Sequence, residues 1–223
     1  MGFAMSTQRR SVSRGGTESG APVAWTFFRQ WLKNPLSIAA LSPSGRQLAR
    51  QMIQELPKGA KRVIELGGGT GVFTRALLEH GIAAKDLLVL ELNEAFYEHL
   101  RSTFPDATVV CGDARELHHI VQRTGYGTDG LADAVLSGLG LLSMSRQMQR
   151  EILKAAFNSL VPEGRLIQFT YGPTCPVPKE LLSELDLSAR RAGFALLNVP
   201  PAAVYVFTRN RSKVIRAVRA GKR

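Results

Sequence analysis

From residue 61 onward, short unbroken apolar runs alternate with stretches in which apolar residues recur at helical spacing. Arg62 to Leu66, Leu87 to Glu91, Ala107 to Cys111, Ala132 to Ser137 and Gly164 to Tyr171 read as five strands, because apolar runs of roughly 4–8 residues between turn signals suit a sheet covered on both faces. Between them, a loop over 67–71 leads into a helix ending near His80-Gly81, and further helices are predicted over 93–103, 145–160 and 178–192. Apolar segments near 194–199 and 203–208 close the pattern, and no repeat is visible. This alternation predicts an α/β fold, a mostly parallel sheet with helices on both faces, which takes ligands beyond the carboxyl ends of its strands.

Upstream, residues 24–33 read AWTFFRQWLK. Trp25, Phe27, Phe28, Trp31 and Leu32 would form one broad face of an amphipathic helix, with Arg29 and Lys33 a turn apart on the other. Such a helix can lie in a headgroup layer, rings at the boundary and cations toward phosphates, or simply pack its aromatic face on the domain. A second helix is predicted from the cap-like cluster Ser42-Pro43-Ser44 to about Glu55, ahead of Pro57. Residues 1–22, rich in Ser, Gly, Thr and Arg without periodicity, read as a disordered basic arm. The expected organisation is therefore the arm at 1–22, interfacial and lid helices at 23–56, the α/β domain at 57–208 and a basic tail at 209–223. The longest weakly polar stretch, Leu131 to Met144, is too short to span a bilayer of roughly 30 Å.

The charge changes this picture. Of a formal net charge of +11, residues 1–34 carry +4 and residues 209–223 carry +7, so the body between is neutral. Basic ends on a neutral body suit a polyanionic surface, nucleic acid or an anionic leaflet, where each cation near the membrane contributes about 1 kcal/mol. A solvated tail that aids solubility fits 209–223 equally. Hydrophobic residues at 44% supply a core for one domain of 223 residues and exclude global disorder. Cys111 and Cys175 form no disulfide framework and no Cys-rich zinc site, the adjacent His118 and His119 lack metal spacing, and no segment reads as a signal peptide, so a cytoplasmic protein without a metal is expected.

The most informative stretch is Val63 to Gly71, a strand running straight into glycines and then a helix. The dinucleotide pattern asks for glycine at the first, third and sixth places, and Val72 occupies the sixth; no Gly-Lys-Ser/Thr follows to make a P-loop. The spacing Glu65-x-Gly67-x-Gly69-x-Gly71 resembles motif I of class I S-adenosylmethionine-dependent methyltransferases. That resemblance implies a Rossmann-like, mostly parallel seven-stranded sheet and S-adenosylmethionine as cofactor, with the loop close to its amino acid end. It places Glu91, at the end of the second strand, on the ribose hydroxyls, and Asp113 with Ala114, after the third, beside the adenine amino group. Thr70 and Ser137 complete the implied cofactor set.

Adenine-directed members of that superfamily carry an Asn/Asp-Pro-Pro-Tyr-like clamp after the fourth strand. Here the text is Ser137-Gly138-Leu139-Gly140-Leu141-Leu142-Ser143, an apolar wall better suited to an aliphatic acceptor. The chain more closely resembles bacterial phospholipid N-methyltransferases acting on phosphatidylethanolamine, over about residues 25–208. The matching text is Pro35 to Ala40 with Ser42 to Arg46, the loop Glu65 to Thr74, Ser137 to Leu139 with Leu141 to Ser143, Gln168 to Pro173 with Cys175-Pro176, and Pro200 to Tyr205. The family commonly has proline where Gly68 and Gly140 stand.

The resemblance implies methylation of phosphatidylethanolamine towards phosphatidylcholine at the cytoplasmic membrane face, with an anionic membrane surface and no nucleic acid as partners. Methyl transfer needs a nitrogen lone pair, while an alkylammonium has a pKa of roughly 9 to 10.5, lowered by burial beside a sulfonium. Tyr171, at the end of the fifth strand, is the acceptor-side candidate: its hydroxyl can accept from the amine and its ring can face a methylated cation. It also suits a core aromatic. Arg46, in the first turn of a helix capped by Ser44, is the candidate for the lipid phosphate, or else a surface arginine. Two other readings stand beside this one. An RNA adenine N6-methyltransferase agrees with the basic tail but not with the missing clamp, and a non-catalytic lipid-binding scaffold leaves Glu65, Glu91 and Asp113 without purpose.

Overall fold

The computed structural model describes residues 43–128, 130–171, 174–195 and 201–210. Seven strands form a single sheet: β1 (Val63–Leu66), β2 (Leu87–Glu91), β3 (Thr108–Cys111), β4 (Ala132–Ser137), β5 (Leu160–Tyr171), β6 (Leu187–Ala195) and β7 (Ala202–Arg209). Their order is β3-β2-β1-β4-β5-β7-β6. The first five run parallel, while β7 pairs antiparallel with both β5 and β6. Strands β1 and β2 are buried along their whole length, as their unbroken apolar text requires.

Helices cover both faces: α1 (Pro43–Gln54), α2 (Val72–His80), α3 (Glu94–Thr103), α4 (Leu117–Arg123), α5 (Arg146–Asn158) and α6 (Lys179–Glu184). On one face Leu48 and Met52 of α1, Leu77 of α2 and Leu100 of α3 pack over Val63, Val89, Leu136 and Ile167. On the other, Leu117 and Ile120 of α4 and Ile152 and Leu153 of α5 pack over Ile64, Leu88, Val135 and Leu166. Asn93 and Ser145 cap α3 and α5 by accepting from the N–H of Phe96 and Met148, each at 3.2 Å.

Three expectations need correction. The helix predicted over 178–192 stops at Glu184, and residues 187–195 form the edge strand β6. The break is Asp186, whose φ of 58° is left-handed; Asn210 holds it there by donating its backbone N–H to the Asp186 carbonyl at 3.0 Å and its side-chain amide to the carboxylate at 3.1 Å. Second, Arg209 is no tail residue. It ends β7, and its guanidinium donates to the carbonyls of Phe157, Leu160, Val161 and Pro162, closing the carboxyl end of α5. Third, α1 begins at Pro43, so Ser44 stands inside the first turn rather than at its cap.

The aromatic helix with Trp25, Phe28, Arg29, Trp31 and Lys33, the arm at 1–22 and the tail beyond 210 lie outside the described residues. Among the described residues no helix is long and apolar enough to cross a membrane; Leu131 to Met144 holds β4 and the turn after it.

Candidate active site

Strand β1 pairs with β2 on one side and β4 on the other. The loops leaving β1 and β4 therefore part at the carboxyl edge, the place where open parallel sheets leave a crevice. The glycine loop fills it. Gly67, Gly69 and Gly71 all have positive φ, at 77°, 53° and 78°. The requirement is sharpest at Gly71, where a Cβ would stand 2.5 Å from the ring of Phe104 in addition to the left-handed strain. Gly68 is equally confined, since a Cβ there would come within 2.6 Å of Val89. Gly140, by contrast, has a φ of −76°, an angle that proline adopts.

Three acids stand at or just after the carboxyl ends of β1, β2 and β3. Glu65 points from β1 toward α2, fully buried; its Oε2 accepts from the Thr74 hydroxyl at 2.6 Å and its Oε1 has no partner among the described residues. Burial, reinforced by the negative charge of Glu91 and opposed by the Thr74 hydrogen bond, pushes its pKa up to about 8. Glu91 ends β2, where one oxygen accepts from the N–H of Gly69 at 2.9 Å and the other from that of Asn93 at 2.8 Å. The second-strand acid is thus tied directly to the glycine loop. Asp113 follows β3 and accepts from the backbone N–H of Arg115 at 2.8 Å and from its guanidinium at 2.6 and 3.0 Å. The hydrogen bond from Arg115 holds the Asp113 carboxyl below its ordinary range. Arg115 also lies 3.5 Å from Glu151 of α5, so the β3 loop is fastened to that helix. Thr70 and Ala114 are half-buried in the two loops.

The β4 loop turns its polar groups inward. Ser137, buried, accepts from the N–H of Leu139 at 3.3 Å. The Leu139 carbonyl accepts from the amide of buried Gln168 on β5 at 2.8 Å, and the Leu141 carbonyl from that of buried Gln149 on α5 at 2.6 Å. Gln149 also reaches the carbonyl of Pro176 at 3.1 Å, joining this loop to the segment after β5. Outward, Leu142 is 48% exposed beside exposed Ser143, whose hydroxyl donates to the Gly140 carbonyl at 2.6 Å.

Tyr171 stands where expected, half-buried at the carboxyl end of β5. Its ring lies edge-on to Phe169 at 5.5 Å, and Phe169 is 5.7 Å from Phe73, the second residue of α2. An aromatic row thus runs from the back of the glycine loop to Tyr171. Helix α1 runs against β5 in direction: the carbonyl of Glu55, just past its end, accepts from Arg165 near the middle of β5, while Gln51 donates to the carbonyl of Phe194, level with Thr170 across the sheet. The first turn of α1, with exposed Arg46, therefore points to the carboxyl edge.

Residues 63–164 match the methyltransferase-domain family. An ornithine lipid N-methyltransferase from Singulisphaera acidiphila is 33% identical over 151 residues, 66% of this chain and 77% of that one. The chain belongs to the class I S-adenosylmethionine-dependent methyltransferases. Solved members share its fold. The N-methyltransferase NodS from Bradyrhizobium japonicum, in complex with S-adenosylhomocysteine, has a TM-score of 0.58 at 15% identity, covering 84% of this chain and 98% of that one. The 1,6-didemethyltoxoflavin-N1-methyltransferase from Burkholderia thailandensis, also holding S-adenosylhomocysteine, has a TM-score of 0.57 at 16% identity, covering 83% and 86%.

The residues of this methyltransferase fit the cofactor. The glycine loop leaves a backbone cradle, Glu91 and Asp113 offer carboxylates at two adjacent strand ends, and the unpartnered Glu65 oxygen lies behind the loop. Sequence reasoning did not assign Thr74, Arg115, Gln149 or Gln168. Thr74 has a visible signal, a hydroxyl on the apolar face of α2, and so has Gln168, an amide inside a strand of apolar residues.

Proposed function

We propose that this methyltransferase transfers methyl groups to the headgroup amine of phosphatidylethanolamine, towards phosphatidylcholine, at the cytoplasmic membrane surface. The observation that carries the reading is the β4 loop. Ser137 and the carbonyls of Leu139 and Leu141 are bonded inward and the Ser143 hydroxyl is taken up by the Gly140 carbonyl, leaving a largely apolar wall with Leu142 exposed where a planar base would need a polar clamp. Such a wall suits an aliphatic amine carried on a lipid.

S-adenosylmethionine supplies an electrophilic methyl group on a sulfonium. The chain's own residues then position it and the acceptor. Glu91 and Asp113 hold the nucleoside end, and the glycine loop brings backbone close to the rest. Tyr171 orients the amine through its hydroxyl and faces the growing cation with its ring. A strong base is not required, because burial beside a positive charge lowers the ammonium pKa, and positioning contributes much of the acceleration. Residues 23–33 bring the enzyme to the leaflet.

A second acceptor is supported by the relative from Singulisphaera acidiphila, named for ornithine lipid. Both lipids present a primary amine a few bonds from an anionic group, so one crevice can be asked to choose between them. Incubation with methyl-labelled S-adenosylmethionine and liposomes of phosphatidylethanolamine, liposomes of ornithine lipid, or RNA separates the readings. Label is expected in phosphatidylethanolamine. Label in ornithine lipid alone changes the substrate, and label in RNA alone overturns the lipid reading.

A further inference from the structure

The aromatic row lies on one face of the sheet, the face that α1 and α2 cover. Ile167, Phe169 and Tyr171 share it because alternate residues of β5 point the same way. Phe73 brings the row to the ligand crevice: a Cβ at Gly138, the first residue after β4, would stand 3.8 Å from its ring. The rings thus run from the junction of the β1 and β4 loops to the carboxyl end of β5. Leu136, Ile167 and Val204 of the same face are fully buried, whereas Phe73, Phe169 and Tyr171 are each half-buried. Three rings therefore keep accessible surface at the edge of the crevice.

The carboxylates around that crevice are engaged elsewhere. Glu65, on the same face, keeps its proton at neutral pH because it is buried. Glu91 accepts from Gly69 and Asn93, and Asp113 is bonded to Arg115. Among the described residues, a cation brought here meets aromatic rings.

The acceptor changes its chemistry as it reacts. In each round the nitrogen lone pair forms the N–C bond while the C–S bond breaks and its electron pair stays on sulfur. The proton shed beforehand goes to water, so the headgroup ends every round as a cation with one N–H fewer. A primary ammonium offers N–H groups to a hydroxyl. A trimethylated one offers none, and its spread charge and methyl surface suit the face of an aromatic ring. One hydroxyl cannot serve every stage.

Resting on the lipid reading above, we propose that Phe169 and Phe73, with Tyr171, form a wall that binds the methylated forms of the headgroup amine. The Tyr171 hydroxyl serves the primary amine, and the rings of Phe169 and Phe73 take over as N–H groups are replaced by methyl groups. Partly methylated lipid is held for further rounds, and the fully methylated product competes for the same wall.

The test assays the full chain with labelled S-adenosylmethionine on phosphatidylethanolamine and its monomethyl and dimethyl derivatives, each alone in neutral detergent micelles. Phe169→Leu should raise the KM about fivefold for the dimethyl lipid and less than about twofold for the unmethylated one, the scale of one cation–ring contact. Phe73→Leu should act in the same direction, and Phe169→Tyr, which keeps a ring, should leave the dimethyl KM near wild type. Tyr171→Phe should show the opposite order, slowing transfer most on the unmethylated lipid. Phosphatidylcholine should inhibit wild type competitively and Phe169→Leu more weakly. A KM change equal for all three lipids overturns the proposal and reduces the rings to packing. So does a wild-type enzyme that phosphatidylcholine leaves uninhibited, a result that needs no variant. Wild-type enzyme that labels phosphatidylethanolamine but not its dimethyl derivative also overturns it, while leaving the lipid reading in place. No label in any of the three lipids removes that reading as well.

Discussion

Thr74 donates its hydroxyl to the fully buried carboxyl of Glu65 at 2.6 Å, one turn into the helix that the glycine loop opens. The bond does not offset burial, and the Glu65 pKa stands at about 8. Below about pH 4.5 the group is protonated folded and unfolded, and stability is unaffected. Between about 4.5 and 8 the unfolded chain ionises while the folded one keeps its proton, so stability falls as pH rises; above 8 the deficit stays constant. Glu65→Gln should remove that slope. Relative to wild type it should gain stability from pH 5 to pH 8, up to about 5 kcal/mol at roughly 1.4 kcal/mol per pH unit. Urea unfolding of cofactor-free protein across that range checks it; parallel curves for the two proteins would contradict the assignment.

Gly71 and Gly81 flank the same helix, and both have left-handed φ, 78° and 105°. They differ in surroundings: a Cβ at Gly71 meets Phe104 at 2.5 Å and Leu100 at 3.2 Å, whereas one at Gly81 meets nothing within 4 Å. Gly81→Ala should lose only the backbone strain, about 1–2 kcal/mol. Gly71→Ala should lose about 1–3 kcal/mol more from overpacking, and S-adenosylhomocysteine binding with it. Equal melting shifts for the two would show that Phe104 yields easily.

These contrasts mark what was legible in the sequence. The strand ends were, because an apolar run stopping at Gly67, Glu91 or Gly112-Asp113 announces both the sheet and the edge where ligands bind. Arg115 was not, since its bond to Asp113 depends on a tight turn that opens the helix after β3. Residues 178–192 misled because their leucines and alanines satisfy helix and strand spacing alike, and only the left-handed Asp186 decides between them. Gln149 was hidden for a different reason. Its partners are backbone carbonyls in two distant loops, and no side-chain pattern records those.

Asp113 and Arg115 form a pair in which one member is expected to touch the cofactor and the other holds it in place. Asp113→Asn should raise the Kd for S-adenosylhomocysteine by about tenfold, the scale of one charged hydrogen bond. Arg115→Gln, which leaves the carboxylate but removes its guanidinium and the tie to Glu151, should raise it by about threefold. The Arg115 variant should also bring the Asp113 carboxyl back up toward its ordinary range, so its binding should weaken further as the solution is acidified. Titration calorimetry at two pH values checks both. A larger loss in Arg115→Gln than in Asp113→Asn would reverse the roles.

Tyr171 is assigned to the acceptor side, at the far end of the aromatic row from the cofactor loop. Tyr171→Phe keeps the ring and its edge contact with Phe169, so folding and S-adenosylhomocysteine affinity should hold while methyl transfer slows by about 10- to 100-fold. Tyr171→Ala should in addition lower the melting temperature, because the Phe169 edge loses its partner. Loss of cofactor affinity in the phenylalanine variant would move Tyr171 out of the acceptor site.

Gln149 holds two carbonyls from separate loops, Leu141 after β4 and Pro176 after β5. It does so from a buried position on α5. Leucine in its place has nearly the same volume but leaves both acceptors unpaired, each at a cost of about 1–3 kcal/mol unless water enters. Gln149→Leu should therefore destabilise the protein by about 2–6 kcal/mol. The loss falls on the walls of the acceptor crevice, whereas the glycine loop, Glu91 and Asp113 sit on other elements. Below the melting range the variant should bind S-adenosylhomocysteine as wild type does and show a raised KM for lipid. A variant as stable as wild type, with the lipid KM unmoved, would mean that the two loops keep their shape without the amide.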